Sequence, residues 1–357
     1  MRHRLRALAA HFSRALRQPL TATAAVTAIL IGITAAPEAV ADTSASTIPV
    51  RTATPADDVN HPGTATEWWY AEVSDPGTKQ TFIVNFVARP TPSSIAFWYD
   101  ANGNKTHQLS LATPAVTTDQ PSVSSSAGSL GYDSARGAYH LVYNANGYKA
   151  DIWFDNALPG VTAGPINYDG QWMSWTVPVG TSTVTGWVQP PGSDRISVNG
   201  WRGYHDHNWG DFLLDSQSYS GWEWGVSHEN DGSATLYGGV VDGDGVWQGV
   251  LADVTPQGTS GCQTDISLSD WTSQDNFAYP ATVGLNCRDN SITPRTFHVV
   301  GPHVVNVGTY TFTEAVTQTE PGSVGLNEHF RTLAHGGTST APLTLPLSGT
   351  LAGLLQP

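Results

Sequence analysis

The chain has 357 residues, a formal net charge of −14 and only 13% charged residues. An acidic chain repels phosphate backbones, which excludes nucleic acid as a partner class. Two cysteines are too few for a thiolate metal centre, and 36 glycines with 23 prolines leave little room for long helices.

The N-terminus reads as a secretory signal peptide over residues 1–41. Arg2, Arg4, Arg6, Arg14 and Arg17 form a basic region, Pro19–Ala36 an apolar one, and Ala39–Ala41 a small-x-small cleavage site before Asp42. No twin-Arg pair is present, and the apolar run is marginal for a membrane span and lacks a stop-transfer flank. The expectation is an exported protein with no stable membrane span after signal removal. In such a compartment Cys262 and Cys287 form one disulfide. The loop of about 25 residues that it closes corresponds to roughly 3 kcal/mol in the chain-entropy model.

Residues 42–60 are expected to form a flexible N-terminal segment. Beyond them, short β-branched and aromatic runs alternate with turn signals. WWYAEVSDPGTKQTFIVNFV, from Trp68, reads as a hairpin. So does GAYHLVYNANGYKADIWFDN, where Asn146-Gly147 favours a type I′ turn. SWTVPVGTSTVTGWV, ATLYGGVVDGDGVWQGVLADV and VGTYTFTEAVT read the same way. Roughly sixteen candidate strands indicate an all-β chain of barrels or sandwiches. WEWGVSHENDGSATLYGGVV, from Trp222, echoes the stretch from Trp68 at an offset of about 154 residues. Two small barrels, with a boundary near Asp211–Gln217, fit that repeat.

The densest polar stretch is GWRGYHDHNWGDF, Gly200–Phe212. On a strand, His205, His207 and Trp209 share one face, and Tyr204, Asp206 and Asn208 the other. Three readings stand. His-x-His suits a zinc or copper site, but no third ligand is visible nearby. An imidazole oriented by a carboxylate suits proton transfer. Histidines bonded to backbone carbonyls suit a purely structural role. In ATEWWYAEV, Glu67 and Trp69 share one face and Trp68, Tyr70 and Glu72 the other. GWEWGVSH places Trp222 and Trp224 together, opposite Glu223. Such aromatic faces fill a core or stabilise a cation. Asp242 in a Gly-rich turn, and Glu328 beside His329, are further polar candidates. No G-x-S-x-G elbow, P-loop, dinucleotide fingerprint or H-E-x-x-H occurs.

Together, Glu67–Tyr70, Tyr204–Asp211, Trp222–Gly225 and Gly325–His329 resemble the carotenoid 1,2-hydratase (hydroxyneurosporene synthase) family. That wider tandem-lipocalin group includes kievitone hydratase and lipocalin-like Diels–Alderases. The resemblance implies an all-β fold of two tandem lipocalin-like (calycin) antiparallel β-barrels, at 61–214 and 215–350. It further implies acid-catalysed addition of water to an alkene of a long polyene, terpenoid or polyketide, with no organic cofactor; no metal is expected either, since the His-x-His pair lacks a third ligand nearby. The alternatives are a [4+2] natural-product cyclase and a non-catalytic lipid or terpenoid carrier. His207, Trp209, Asp206 and Asp242 are the catalytic candidates, although Val240 stands where the family carries an aromatic residue. Trp68, Trp69, Tyr70, Glu67, Tyr204, His205, Trp222, Trp224 and Glu328 are the ligand-binding candidates. The expected partner is a hydrophobic small molecule, and the expected state a secreted monomer.

Overall fold

A computed structural model describes residues 47–332, apart from 102–103, 112–114, 117–119, 215–217, 302–303 and 308–309. The segment read as a signal peptide, 1–41, residues 215–217 of the boundary stretch and the tail beyond 332 lie outside the described residues. The described residues form antiparallel strands and one short 3-10 helix, Pro55–Asp58, with no α-helix among them. None of their helices is long and apolar enough to cross a membrane.

The strands belong to two sheets. The first sheet follows the order Lys105–Leu111, Ser93–Tyr99, Thr81–Arg89, Thr66–Ser74, Arg202–Asp211, Gln171–Gln189, Tyr148–Leu158, Ala138–Ala145, Gly128–Asp133, Ser122–Ser125 and Ala115–Val116. Alternate residues of these strands, from Trp69, Phe82 and Phe86 to Phe154 and Trp201, converge on one core. The second sheet closes on itself through eight strands. They run in sequence order from Tyr219–His228 to Val324–Arg331, skipping Val304–Val307, which pairs with Tyr310–Gln318 from outside the ring. The ring encloses its own core of Tyr237, Trp247, Leu251, Val283, Leu285 and Phe297. The fold is therefore all-β, with two lipocalin-like units in tandem. The chain passes from one sheet to the other between Asp211 and Tyr219.

A third core joins the sheets. Tyr70, Ile83, Phe97, Trp175 and Tyr204 meet Trp224, Val226, Leu236, Val250 and Leu326 there. Strands at this junction are buried on both faces, as in Thr66–Ser74, where only Trp68 is partly exposed. Their buried polar residues, such as Glu67 and Glu72 on Thr66–Ser74, therefore need partners within the protein.

The Asn146-Gly147 turn forms as expected, with φ of 50° and 86°, between strands paired from Tyr148↔Ala145. SWTVPVGTSTVTGWV is not a hairpin. It lies within one 19-residue strand, Gln171–Gln189, whose pairing with Arg202–Asp211 shifts register between Thr176 and Val179 and again between Val179 and Ser182. The stretch has no Asn-Gly or Asp-Gly pair to turn it. Its Gly180 serves close packing instead, since a Cβ there would stand 3.0 Å from Val254 Cγ2. The segment expected to be flexible, 42–60, carries regular structure over its described residues, 47–60. Val50–Thr52 pairs with Val161–Tyr168, and the 3-10 helix carries Asp58, which is 1% exposed, into the first core. Cys262 and Cys287 form the expected disulfide, which fits an oxidising compartment.

Candidate functional site

The strand Arg202–Asp211 separates two polar assemblies, one on each face. It is flanked by Thr66–Ser74 on one side, with His207 opposite Trp69 and Asp206 opposite Tyr70. On the other side lies Gln171–Gln189.

On the face turned to the second sheet, a cavity of about 190 Å³ opens between the two sheets. Trp68, Trp175, Trp222 and Trp224 contribute its aromatic walls, with Ile95, Phe97, Met173 and Phe312. Its polar groups are few and connected. Asp206 accepts hydrogen bonds from Tyr204 Oη (2.7 Å), Trp175 Nε1 (3.0 Å) and Asn208 Nδ2 (2.9 Å). Trp224 Nε1 in turn donates to Tyr204 Oη (2.9 Å). Facing them, Glu314 and Glu328 lie opposite each other on neighbouring strands of the second barrel. Tyr99 Oη donates to Glu314 (2.5 Å), and Trp222 Nε1 to Glu328 (2.7 Å).

Burial dominates the acidity of these groups. It raises Asp206 to about 6 against the hydrogen bonds from Tyr204 and Trp175. It raises Glu72, just behind Tyr70, to about 8. Glu314 and Glu328 are both held above the ordinary carboxyl range by burial, and the nearby charge of Glu314 raises Glu328 further. Two carboxyls in contact in an apolar site cannot both ionise easily, so the pair retains a proton.

These raised values carry a stability consequence. Between the unfolded carboxyl range near 4 and the folded values of about 6 and about 8, the folded protein binds more protons than the unfolded chain. Stability therefore falls as pH rises across that window. Urea midpoints measured at about pH 6 and about pH 8 should show a loss of roughly 2–3 kcal/mol on the alkaline side. An unchanged or rising midpoint would contradict the burial of neutral acids.

The opposite face of the strand points into the core of the first sheet. His207 is fully buried between two carboxylates, with Nε2 3.0 Å from Glu67 Oε1 and Nδ1 3.3 Å from Asp58 Oδ1. Burial alone would lower its pKa, but Asp58 and Glu67 outweigh that and raise it. His205 meets the Tyr70 carbonyl through Nδ1 (2.8 Å) and Asp58 Oδ2 through Nε2 (3.0 Å). Arg89 pairs with the other oxygen of Glu67 and donates to the His61 carbonyl (2.7 Å). The indoles orient the imidazoles: Trp69 stacks on His207 at 4.0 Å, and Trp209 on His61 at 3.8 Å.

The structure thus divides the sequence candidates. Trp68, Tyr70, Asp206, Trp222, Trp224 and Glu328 border the cavity, with Tyr204 linking two of them. His207, Trp209, Glu67, Trp69 and His205 form the assembly behind it. Asp242 belongs to neither. Its carboxylate accepts the backbone N–H groups of Asp244 (3.0 Å) and Val246 (2.8 Å), closing the turn that its Gly-rich surroundings suggested. Sequence reasoning missed Glu314, Trp175, Asp58, His61 and Arg89. Only Glu314 carried a signal: in YTFTEAVT it shares a strand face with Phe312, an acid on an apolar face.

No protein-family model and no curated protein sequence matches the chain. Solved structures do. A putative AttH from Nitrosomonas europaea superposes with a TM-score of 0.57 at 14% identity, covering 78% of this chain and 95% of its own. CghA solved with Sch210972 gives 0.54 at 10% identity over 76% and 89% of the two chains, and CghA alone gives 0.53 at 10% over 82% and 100%. These likenesses extend over most of each chain and show a shared lipocalin-like fold.

Proposed function

We propose that this chain is an exported lipocalin-like enzyme that encloses a hydrophobic polyene, terpenoid or polyketide and adds water across one of its alkenes by acid catalysis. The observation that carries the reading is the proton-retaining Glu314–Glu328 pair facing tryptophans in an apolar cavity. The neutral carboxyl of Glu328 donates its proton to the less substituted alkene carbon. The tertiary cation that forms lies against the indole faces of Trp222 and Trp224, which stabilise it. Water adds to the cation, and the carboxylate takes the released proton, restoring the acid. The proton and hydroxyl gained by the product balance the water consumed.

This assigns acid chemistry to carboxyls rather than to His207, which lies on the other face of its strand. General acid–base help of this kind contributes roughly 10²–10⁴ in rate. A cyclase reading draws support from one feature: the neutral acids offer fixed donors that polarise a carbonyl while the cavity folds a polyene. A related fold, CghA, has been solved with the small molecule Sch210972.

The test begins by extracting the purified protein with solvent and identifying the bound hydrophobe by mass spectrometry. That compound is then incubated with protein in ¹⁸O-water. Hydration yields a tertiary alcohol carrying the label and heavier by one water. A product of unchanged mass with a new ring shows the cyclase instead, and quantitative recovery of intact compound shows a carrier.

A further inference from the structure

We propose that His61, Glu67 and His207 form a zinc site beside the core of the first sheet, separate from the cavity. The His205-x-His207 pair first suggests a metal, but the fold takes the two histidines apart. His205 is consumed by the Tyr70 carbonyl and Asp58. His207 instead meets two groups far away in sequence or on a loop, Glu67 from the neighbouring strand and His61 ahead of it. One ligand atom from each of His61, Glu67 and His207 lies within 4.8 Å of the others.

The separations suit the ion. Nε2 of His207 is 3.0 Å, and Nδ1 of His61 3.3 Å, from Glu67 Oε1. Two ligands at about 2.0–2.1 Å from a tetrahedral zinc lie roughly 3.3 Å apart. Two histidines and one glutamate are also a common zinc donor set that leaves a fourth position for water.

The surroundings supply what such a site requires beyond its ligands. Asp58 Oδ1 faces His207 Nδ1 at 3.3 Å, so it can accept the Nδ1 proton while Nε2 binds the ion. Both atoms are buried. Arg89 holds Glu67 by Oε2, while Oε1 accepts the His61 backbone N–H (2.7 Å) and faces the two imidazoles. Trp69 and Trp209 clamp the ring planes of His207 and His61. An entering zinc displaces one proton from His207 Nε2, and the ion pair between His207 and Glu67 becomes two metal–ligand bonds. The side chain of His61 is 28% exposed, which gives the ion a route in from solvent.

Chelator-treated protein is titrated with zinc sulfate by calorimetry, and the metal retained after gel filtration is counted. One zinc per chain is expected, with cobalt giving the visible d–d bands of a four-coordinate site. His61→Ala removes a partly exposed ligand without emptying the core, and Glu67→Gln keeps the side-chain shape. Each should weaken binding by at least about 10–100-fold. Each should also abolish the rise in Tm that zinc confers on the unsubstituted protein. His140→Ala, which breaks the outer pair with Asp151, should bind as the unsubstituted chain does. Absence of retained zinc, or an affinity in His61→Ala or Glu67→Gln equal to that of the unsubstituted chain, overturns the site.

Discussion

Replacing Glu328 with glutamine is expected to lower turnover of the extracted ligand by roughly 10²–10⁴-fold while leaving its affinity within a few-fold. The side chain keeps its size, and its amide oxygen can still accept the Trp222 indole N–H that now meets the carboxylate at 2.7 Å. The cavity walls therefore stay in place, and what disappears is the transferable proton. A loss confined to kcat is the mark of a group that acts in the transition state rather than in binding. Glu314→Gln acts differently. It removes the neighbouring charge that helps hold Glu328 protonated, so its activity should fall off at lower pH than that of the unsubstituted enzyme. For the unsubstituted enzyme the sign is fixed by the same logic: a required neutral acid is lost as pH rises through its folded pKa, so activity declines on the alkaline side. Single-turnover rates for the three proteins across pH would decide. An active Glu328→Gln protein with normal kcat would remove Glu328 from the chemistry and favour the cyclase, in which a fixed donor suffices.

The second large effect concerns folding. Asp58→Ala should destabilise the protein by roughly 3–5 kcal/mol, because it removes a buried carboxylate that two buried imidazole rings share as a partner. Asp58 is 1% exposed and contacts His205 at 3.0 Å and His207 at 3.3 Å, while its carbonyl receives the Trp69 indole N–H at 3.4 Å. Asp57, one residue earlier, pairs with the exposed Arg51 and accepts the Thr54 backbone N–H (2.8 Å), and its removal should cost only about 1–2 kcal/mol. Urea unfolding of both variants gives the contrast. Limited trypsin digestion adds a local readout, since release of the 3-10 helix should expose the bond after Arg51. If Asp58→Ala unfolds within about 1 kcal/mol of the unsubstituted chain, the charge cluster does not anchor the N-terminal segment.

The all-β class and most hairpins were legible because alternation and turn residues are local properties. Asn146-Gly147 marks its turn without help from the rest of the chain. The long strand Gln171–Gln189 was not legible, because its bends come from register shifts against a partner rather than from its own residues. Strand alternation also placed His205, His207 and Trp209 on one face and Tyr204, Asp206 and Asn208 on the other. It could not say which face meets the cavity, because both faces are buried and both carry polar groups. Asp58 and His61 were invisible for a different reason: a 3-10 turn and a loop with no periodic pattern deliver them across about 147 residues of sequence to His205 and His207. Glu314 is the instructive omission. An acid among Phe312, Ala315 and Val316 in a strand with buried positions is costly unless partnered, and its partners, Tyr99 and Glu328, come from two other strands.

The two-faced strand Arg202–Asp211 constrains how this chain can change over time. Its odd positions supply His205 and His207 to the charged cluster, and its even positions supply Tyr204, Asp206 and Asn208 to the cavity. Inserting or deleting a single residue would send every one of these side chains to the wrong side at once. Relatives should therefore vary this segment by substitution at fixed length, with gaps confined to the turns beyond Asp211 and before Arg202.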